Sequence, residues 1–276
     1  MFINWNWDMI RKKRKDSFEK FRNFFIFDIE TVKDEGMFEK VADEKERKID
    51  QEGDFLPVPF HRIVSIGTMI IKDKRIISFE TISTTDEMEA LRFFWIKYRE
   101  SFDFIQDRDP NDGKVKNHIS VFPVLISING KGFDIPTIMV RTLRYIPDFE
   151  EGLRKFVSIH LDRFDTWEKE FPKYTHRYTK FHIDIPEDIF GKKISLKNLC
   201  YLCGIPVKQE GDGKEVSQMF NNGDLKKIGA YCSEDVLATA KLFSYVNQHL
   251  LYGTYLFPEF ENFDGIQPVI HIGSYD

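Results

Sequence analysis

Asp28 and Glu30 close an apolar run, Phe24–Thr31 (FFIFDIET), and are the first groups in the chain whose types and spacing could do chemistry. A short, all-apolar, aromatic-rich run reads as a strand buried on both faces. Alternation along a strand puts both carboxylates on one side, about 7 Å apart. Carboxylates on a buried strand must be paired, protonated or given a cation. No Arg or Lys alternates with them. A divalent cation is then the cheapest compensation, and Mg²⁺ or Mn²⁺ suits all-oxygen ligands. Read alone, the pair has a commoner explanation: Asp28 ends the strand and caps a turn while Glu30 is solvated.

Two more acids shift that balance. Asp134 follows a second apolar strand and a glycine-bearing turn, Asn129-Gly130-Lys131-Gly132-Phe133, where open α/β sheets place their sites. Asp235 lies in a late helical pattern four residues after Tyr231, so phenol and carboxylate share one helix face. Singly, Asp134 reads as a helix cap, Asp235 as an exposed acid and Tyr231 as a core aromatic. Together, four acids from a strand end, a helix start and a late helix can converge. That is a ligand set for two divalent cations about 3.5–4 Å apart, the clamp used in phosphodiester displacement.

The elements that must position these groups are legible from periodicity. After the first strand, the charged stretch Lys33–Glu52 reads as a surface insertion of helix and loop, closed by Pro57 and Pro59. Arg62–Ile71 and Arg75–Thr81 read as strands, and the short Lys72–Lys74 link makes them an antiparallel hairpin. Helical spacing runs through Thr85–Phe102. Asp107–Asn117 reads as a turn-rich loop, Val121–Ile128 as a fourth strand and Ile135–Tyr145 as a helix opened by Asp134 and Pro136. Pro147–Pro186 reads as irregular, with His182–Ile185 (HIDI) inside it. Ser195–Cys203 reads as a helix stopped by Gly204 and Pro206. A long helix follows over Leu225–Leu250, with a break expected near Gly229, and the tail from Tyr252 is expected to pack back. This order predicts an α/β fold, a central mixed sheet flanked by helices.

Composition narrows the function classes. The chain has 276 residues, 42% hydrophobic and 31% charged, enough for one large core. Its net charge of −5 gives no bulk attraction for nucleic acid, so binding would need a local basic stripe. The basic run Arg11–Lys15 is read as a solvated helix face, or else as a phosphate-contacting arm. No apolar run reaches membrane-spanning length, and Trp5 and Trp7 before that run are the wrong order for a secretory signal. Three cysteines argue against a disulfide scaffold and for a reducing, cytoplasmic compartment.

FDIET with Asp28 and Glu30, Asn129 to Asp134 followed by Ile135-Pro136, and Tyr231-x-x-x-Asp235 resemble the three motifs of the DEDD superfamily of 3′–5′ exonucleases. The tyrosine of the third motif marks the DEDDy branch. Within it the chain is most similar to stand-alone proteins related to the proofreading domain of family B DNA polymerases. FHRIVSIG at Phe60–Gly67, and SLKNLCYLCGIP through DVLATAKLF, carry the same likeness. The resemblance implies a ribonuclease-H-like fold with a mixed five-stranded sheet. The resemblance covers roughly residues 24–250; the order of elements reads as a single exonuclease domain over residues 1–276, with core 24–250, and the N-terminal arm 1–23, insertion 33–60 and tail 252–276 lie outside the likeness. The resemblance further implies two Mg²⁺ or Mn²⁺ ions. Asp28 would bridge both, with Glu30 and Asp235 completing one site and Asp134 serving the other, while Tyr231 orients the attacking water. The expected activity is hydrolysis of the 3′ end of single-stranded DNA to nucleoside monophosphates, alone or beside a replication or repair partner.

Around the acids, Phe133 is a candidate to stack on a terminal base and Asn129 to hydrogen-bond it. Core packing accounts for Phe133 equally well. The backbone at Thr31 is expected to hold the terminal sugar by the same likeness. Arg62 and Lys131 are candidate phosphate contacts, against the alternative of ordinary surface charge. Cys200-x-x-Cys203 lacks a second pair and reads as buried small hydrophobes rather than zinc ligands. His160 and His182 read as structural. Two other readings stay open: an RNA 3′-end trimmer, discriminated by the 2′-hydroxyl, and a catalytically silent nucleic-acid-binding module. The presence of all four acids and the tyrosine weighs against the last.

Overall fold

β1 (Asn23–Lys33) is the axis of the sheet, and its alternation explains both faces of the protein. The computed structural model describes residues 21–108, 113–161, 174, 179–207 and 213–275; the Arg11–Lys15 run with Trp5 and Trp7 lies outside them. In chain order β1 is followed by α1 (Glu35–Val41), α2 (Glu44–Glu52), β2 (His61–Lys72), β3 (Arg75–Ser83), α3 (Glu87–Glu100), β4 (Asp103–Arg108), β5 (Val115–Val121) and β6 (Val124–Ser127). Then come α4 (Asp134–Tyr145), α5 (Glu151–Leu161), β7 (His182–Asp184), α6 (Leu196–Leu202), α7 (Gly213–Asn221), α8 (Leu225–His249) and β8 (Val269–Ile272).

The main sheet has six strands in the order β7-β6-β1-β2-β3-β8. β1, β2 and β3 are antiparallel neighbours, whereas β6, β7 and β8 join in parallel. The sixth strand corrects the five expected: the tail does fold back, and Val269–Ile272 adds itself to β3 at the edge. The β2–β3 hairpin turns on Asp73 and Lys74, both at positive φ (48° and 62°), as a two-residue hairpin loop requires. Phe24 and Ile26 pack on one face with Val236, Ala240 and Phe243 of α8. Phe25, Phe27 and Ile29 pack on the other with Leu91, Phe94, Ile138 and Leu153 of α3, α4 and α5. Apart from Ala240, each of these buried side chains contributes about 1.5–3 kcal/mol.

Three local expectations fail. Both ends of Asp107–Asn117, expected as a loop, are strand, since Asp107 pairs with Asn117 in a separate two-stranded β4–β5 sheet. Part of the 147–186 stretch is helical, because Leu153 and Val157 of α5 lie one turn apart and bury together. α8 runs unbroken through Gly229. Among the described residues no helix is long and apolar enough to cross a membrane.

Candidate active site

Phe24 and Ile26 face α8, so period-two geometry turns Asp28 and Glu30 toward the same helix. α8 can approach because two positions lack a Cβ. Asp28 pairs across the ladder with Gly67, where a Cβ would meet Val236 Cγ2 at 2.8 Å and both the carbonyl and Sγ of Cys232 at 3.2 Å. At Gly229 a Cβ would meet Ile270 Cγ2 at 2.7 Å and Ser83 Oγ at 2.9 Å. Gly229 is therefore a docking point of the helix rather than its break. The helix so docked carries Tyr231, Cys232 and Asp235 to the end of β1. The Cys232 thiol donates to the Asp28 carbonyl at 3.5 Å and to its carboxylate at 3.8 Å. Ligand atoms of Asp28, Glu30 and Cys232 all lie within 4.8 Å of one another.

Electrostatics ties the remaining groups to these. Burial, then Glu30, Asp235 and Asp134 in turn, push the Asp28 carboxyl well up, and the Cys232 hydrogen bond counters only in part. Burial, Asp235 and Asp134 do the same to Glu30. Burial pushes Asp134 up to about 7, with Asp184 adding to it; its own backbone amide and that of Ile29 hold it down. Burial and then Asp235, Glu30 and Asp28 raise the Tyr231 phenol, so it stays protonated. Burial and the neighbouring acids likewise keep Cys232 a thiol. Burial and neighbouring acids are the leading causes of both shifts. Crowded, buried carboxylates are the donor set of a hard divalent cation.

Asp134 is the first residue of α4, and the residue before it, Phe133, takes the cap position, which corrects the reading of Asp134 as the cap. The loop leading to it is fixed from a third strand. Asp184, at the end of β7, accepts the backbone amides of Asn129 (3.0 Å) and Lys131 (3.1 Å). Asn129 sits at φ 57°, a left-handed position that asparagine tolerates. Asp28 thus lies just past the part of β1 that pairs in parallel with β6, and Asn129 and Asp184 lie at or just beyond the C-terminal ends of β6 and β7, where ligands bind in open sheets.

The other candidates divide. The β1–β2 register slips between Glu30 and Thr31, and the Thr31 hydroxyl bonds His61 Nδ1 at 3.1 Å. Phe133 packs against Phe55 and His61. The Lys131 ammonium is committed to Asp188 at 2.6 and 2.7 Å, with its side chain only 5% exposed. Arg62 donates to the Thr85 carbonyl and lies over the Phe220 ring. His182 is buried between Ser127 Oγ and the Tyr174 carbonyl, and His160 packs among Tyr98, Phe102 and Phe156. Cys200 is fully buried and Cys203 partly so. Sequence reasoning passed over Asp184, Cys232, Phe55 and His61. Asp184 carried a signal, an acid set in an apolar strand (His-Ile-Asp-Ile) as Asp28 is in Phe-Asp-Ile.

Residues 114–256, just over half of the chain, match a family described as a predicted 3′–5′ exonuclease related to the exonuclease domain of PolB. The span contains Asn129, Phe133, Asp134, Tyr231 and Asp235, while Asp28 and Glu30 precede it. No curated protein matches the chain.

Proposed function

Since the chain belongs to the family of predicted 3′–5′ exonucleases related to the exonuclease domain of PolB, we propose that it is a metal-dependent nuclease trimming single-stranded DNA from the 3′ end. The observation that carries the reading is the crowding of carboxylates at Asp28 and Glu30: both are buried, and Asp134 and Asp235 raise the cost of charge on each. We assign the holding of two Mg²⁺ or Mn²⁺ ions to these four carboxylates. Bound there, divalent cations supply charge neutralisation at the scissile phosphodiester and activation of water. The Tyr231 hydroxyl, raised above its ordinary pKa by burial and the acids, keeps its proton and positions the attacking water by hydrogen bonding. Cys232 steadies the Asp28 carboxylate from beneath, and Asp184 holds the loop that delivers Asp134. The relation to a DNA polymerase's proofreading domain supports DNA as the substrate, and a replication or repair assembly as the setting.

The test is degradation of 5′-labelled single-stranded DNA and RNA of one sequence, each with Mg²⁺, Mn²⁺ or chelator. Stepwise shortening of the DNA with release of nucleoside monophosphates, lost in chelator and in Asp28→Ala, is expected. Preferential loss of RNA makes the chain a ribonuclease. Intact strands under every condition would overturn the assignment in favour of a silent binding module.

A further inference from the structure

Three rings from three segments meet beside the acid cluster. Phe55, in the stretch between α2 and β2, stacks on the His61 imidazole with centroids 4.5 Å apart and planes at 26°. Phe133 closes the group edge-on, 5.0 Å from Phe55 and 4.9 Å from His61. Two of the rings are joined to candidate site residues. Phe133 directly precedes Asp134, and His61 bonds the hydroxyl of Thr31, the neighbour of Glu30. The other His61 nitrogen lies 3.0 Å from the Leu56 carbonyl, which can only accept. Nε2 therefore carries the proton and Nδ1 accepts from Thr31. Burial, with help from Arg141, lowers the pKa of His61, which suits a neutral, fixed imidazole.

Phe55 is 69% exposed although it is packed on one face. A lone exposed phenylalanine is ordinary. This one is half of a stack, with its second face open to water. Its segment is also anchored. Arg141 of α4 bonds the Asp34 carboxylate at 2.7 Å and the Pro59 carbonyl at 2.9 Å, while Phe38, Leu56 and Phe60 form a small core beneath. The helix that begins with Asp134 thus holds the ends of the Asp34–Pro59 excursion, and the open ring is fixed relative to the acids. None of Asp34, Phe55 and His61 falls within the matched family span.

We propose that Phe55, backed by His61 and Phe133, forms a shelf on which one unpaired nucleobase near the 3′ end stacks. The proposal rests on the exonuclease reading and deepens it. A base–aromatic stack tolerates any base but needs that base unpaired, so the shelf selects single-stranded or frayed ends without reading sequence.

The experiment uses the full chain as wild type, Phe55→Ala and Phe55→Trp. Substrates are labelled single-stranded DNAs, intact or with one abasic analogue at the first, second or third position from the 3′ end. Binding is measured with Ca²⁺ and cleavage with Mg²⁺. On intact DNA, Phe55→Ala should bind about tenfold more weakly, the size of one lost base stack, and Phe55→Trp should bind as wild type does. At one abasic position the Phe55→Ala penalty should vanish, because the stacked base is already missing. Equal binding by wild type and Phe55→Ala, or an undiminished penalty at all three abasic positions, would overturn the shelf. If the wild type cuts nothing, the exonuclease reading fails while the binding arm still decides the shelf. Matching melting temperatures for Phe55→Ala and wild type would exclude a merely structural loss.

Discussion

Replacing Asp134 with Asn keeps the side-chain shape and removes the charge from the most enclosed position of the acid cluster. Asp134 is 6% exposed, and burial with Asp184 lifts its pKa from an ordinary 3.8 to about 7. A carboxyl whose pKa is higher folded than unfolded holds its proton more tightly in the native state. Its ionisation therefore destabilises the fold progressively as pH rises from the unfolded value to the folded one, and the penalty levels above it. At pH 8 without metal the charge costs about three pH units at about 1.4 kcal/mol each, roughly 4 kcal/mol. Near pH 4 the cost is close to nil. The Asp134→Asn variant escapes the penalty, and its side-chain carbonyl oxygen can still accept the Ile29 amide. In chelator at pH 8, Asp134→Asn should melt roughly 8 °C or more above wild type, at about 2 °C per kcal/mol for a chain of this size. The gap should close as pH falls toward 4. Melting curves by circular dichroism from pH 4 to 8 read this directly. Adding Mg²⁺ at pH 8 should raise the wild type more than the variant. A variant that melts below wild type at pH 8 in chelator, or a gap that ignores pH, would refute the reasoning.

Gly67→Ala should push α8 off β2, since its new methyl would overlap Val236 and the Cys232 carbonyl. A loss of about 1–3 kcal/mol in stability is expected, with cleavage falling further than stability does; unchanged cleavage would show that α8 does not set the site. Asp184→Ala frees the amides of Asn129 and Lys131 and should lower cleavage by about tenfold to a hundredfold through misplacement of Asp134. Tyr231→Phe should reduce kcat by on the order of tenfold to a hundredfold with KM nearly constant, as loss of water positioning requires.

Local signals made much of this arrangement legible before the structure. Asp28 and Glu30 could be read because strand alternation alone puts them on one side. The β2–β3 hairpin could be read because its link leaves no room for a crossover. What escaped depends on distant partners. Val269–Ile272 becomes a strand only by pairing with Glu80–Ser83 far earlier in the chain, and its residues stay half exposed at the sheet edge, so it lacks a clean alternating pattern. Gly229 reads locally as a helix breaker, but contact with Ser83 and Ile270 reverses its meaning. Lys131 reads as a free surface cation until Asp188, from beyond β7, is seen to hold it. Asp184 escaped for the same reason, because the amides it accepts lie 53 and 55 residues away.

Counting bound ions bears on the whole account. Titration of the metal-free chain with Mn²⁺, followed by electron paramagnetic resonance of the free ion, should give two saturable sites per chain near neutral pH. Asp28→Ala should lose both, because that carboxylate is assigned to each. Failure of the wild type to take up Mn²⁺, or two sites surviving the loss of Asp28 and Asp235 together, would contradict the assignment of these carboxylates as a shared metal centre.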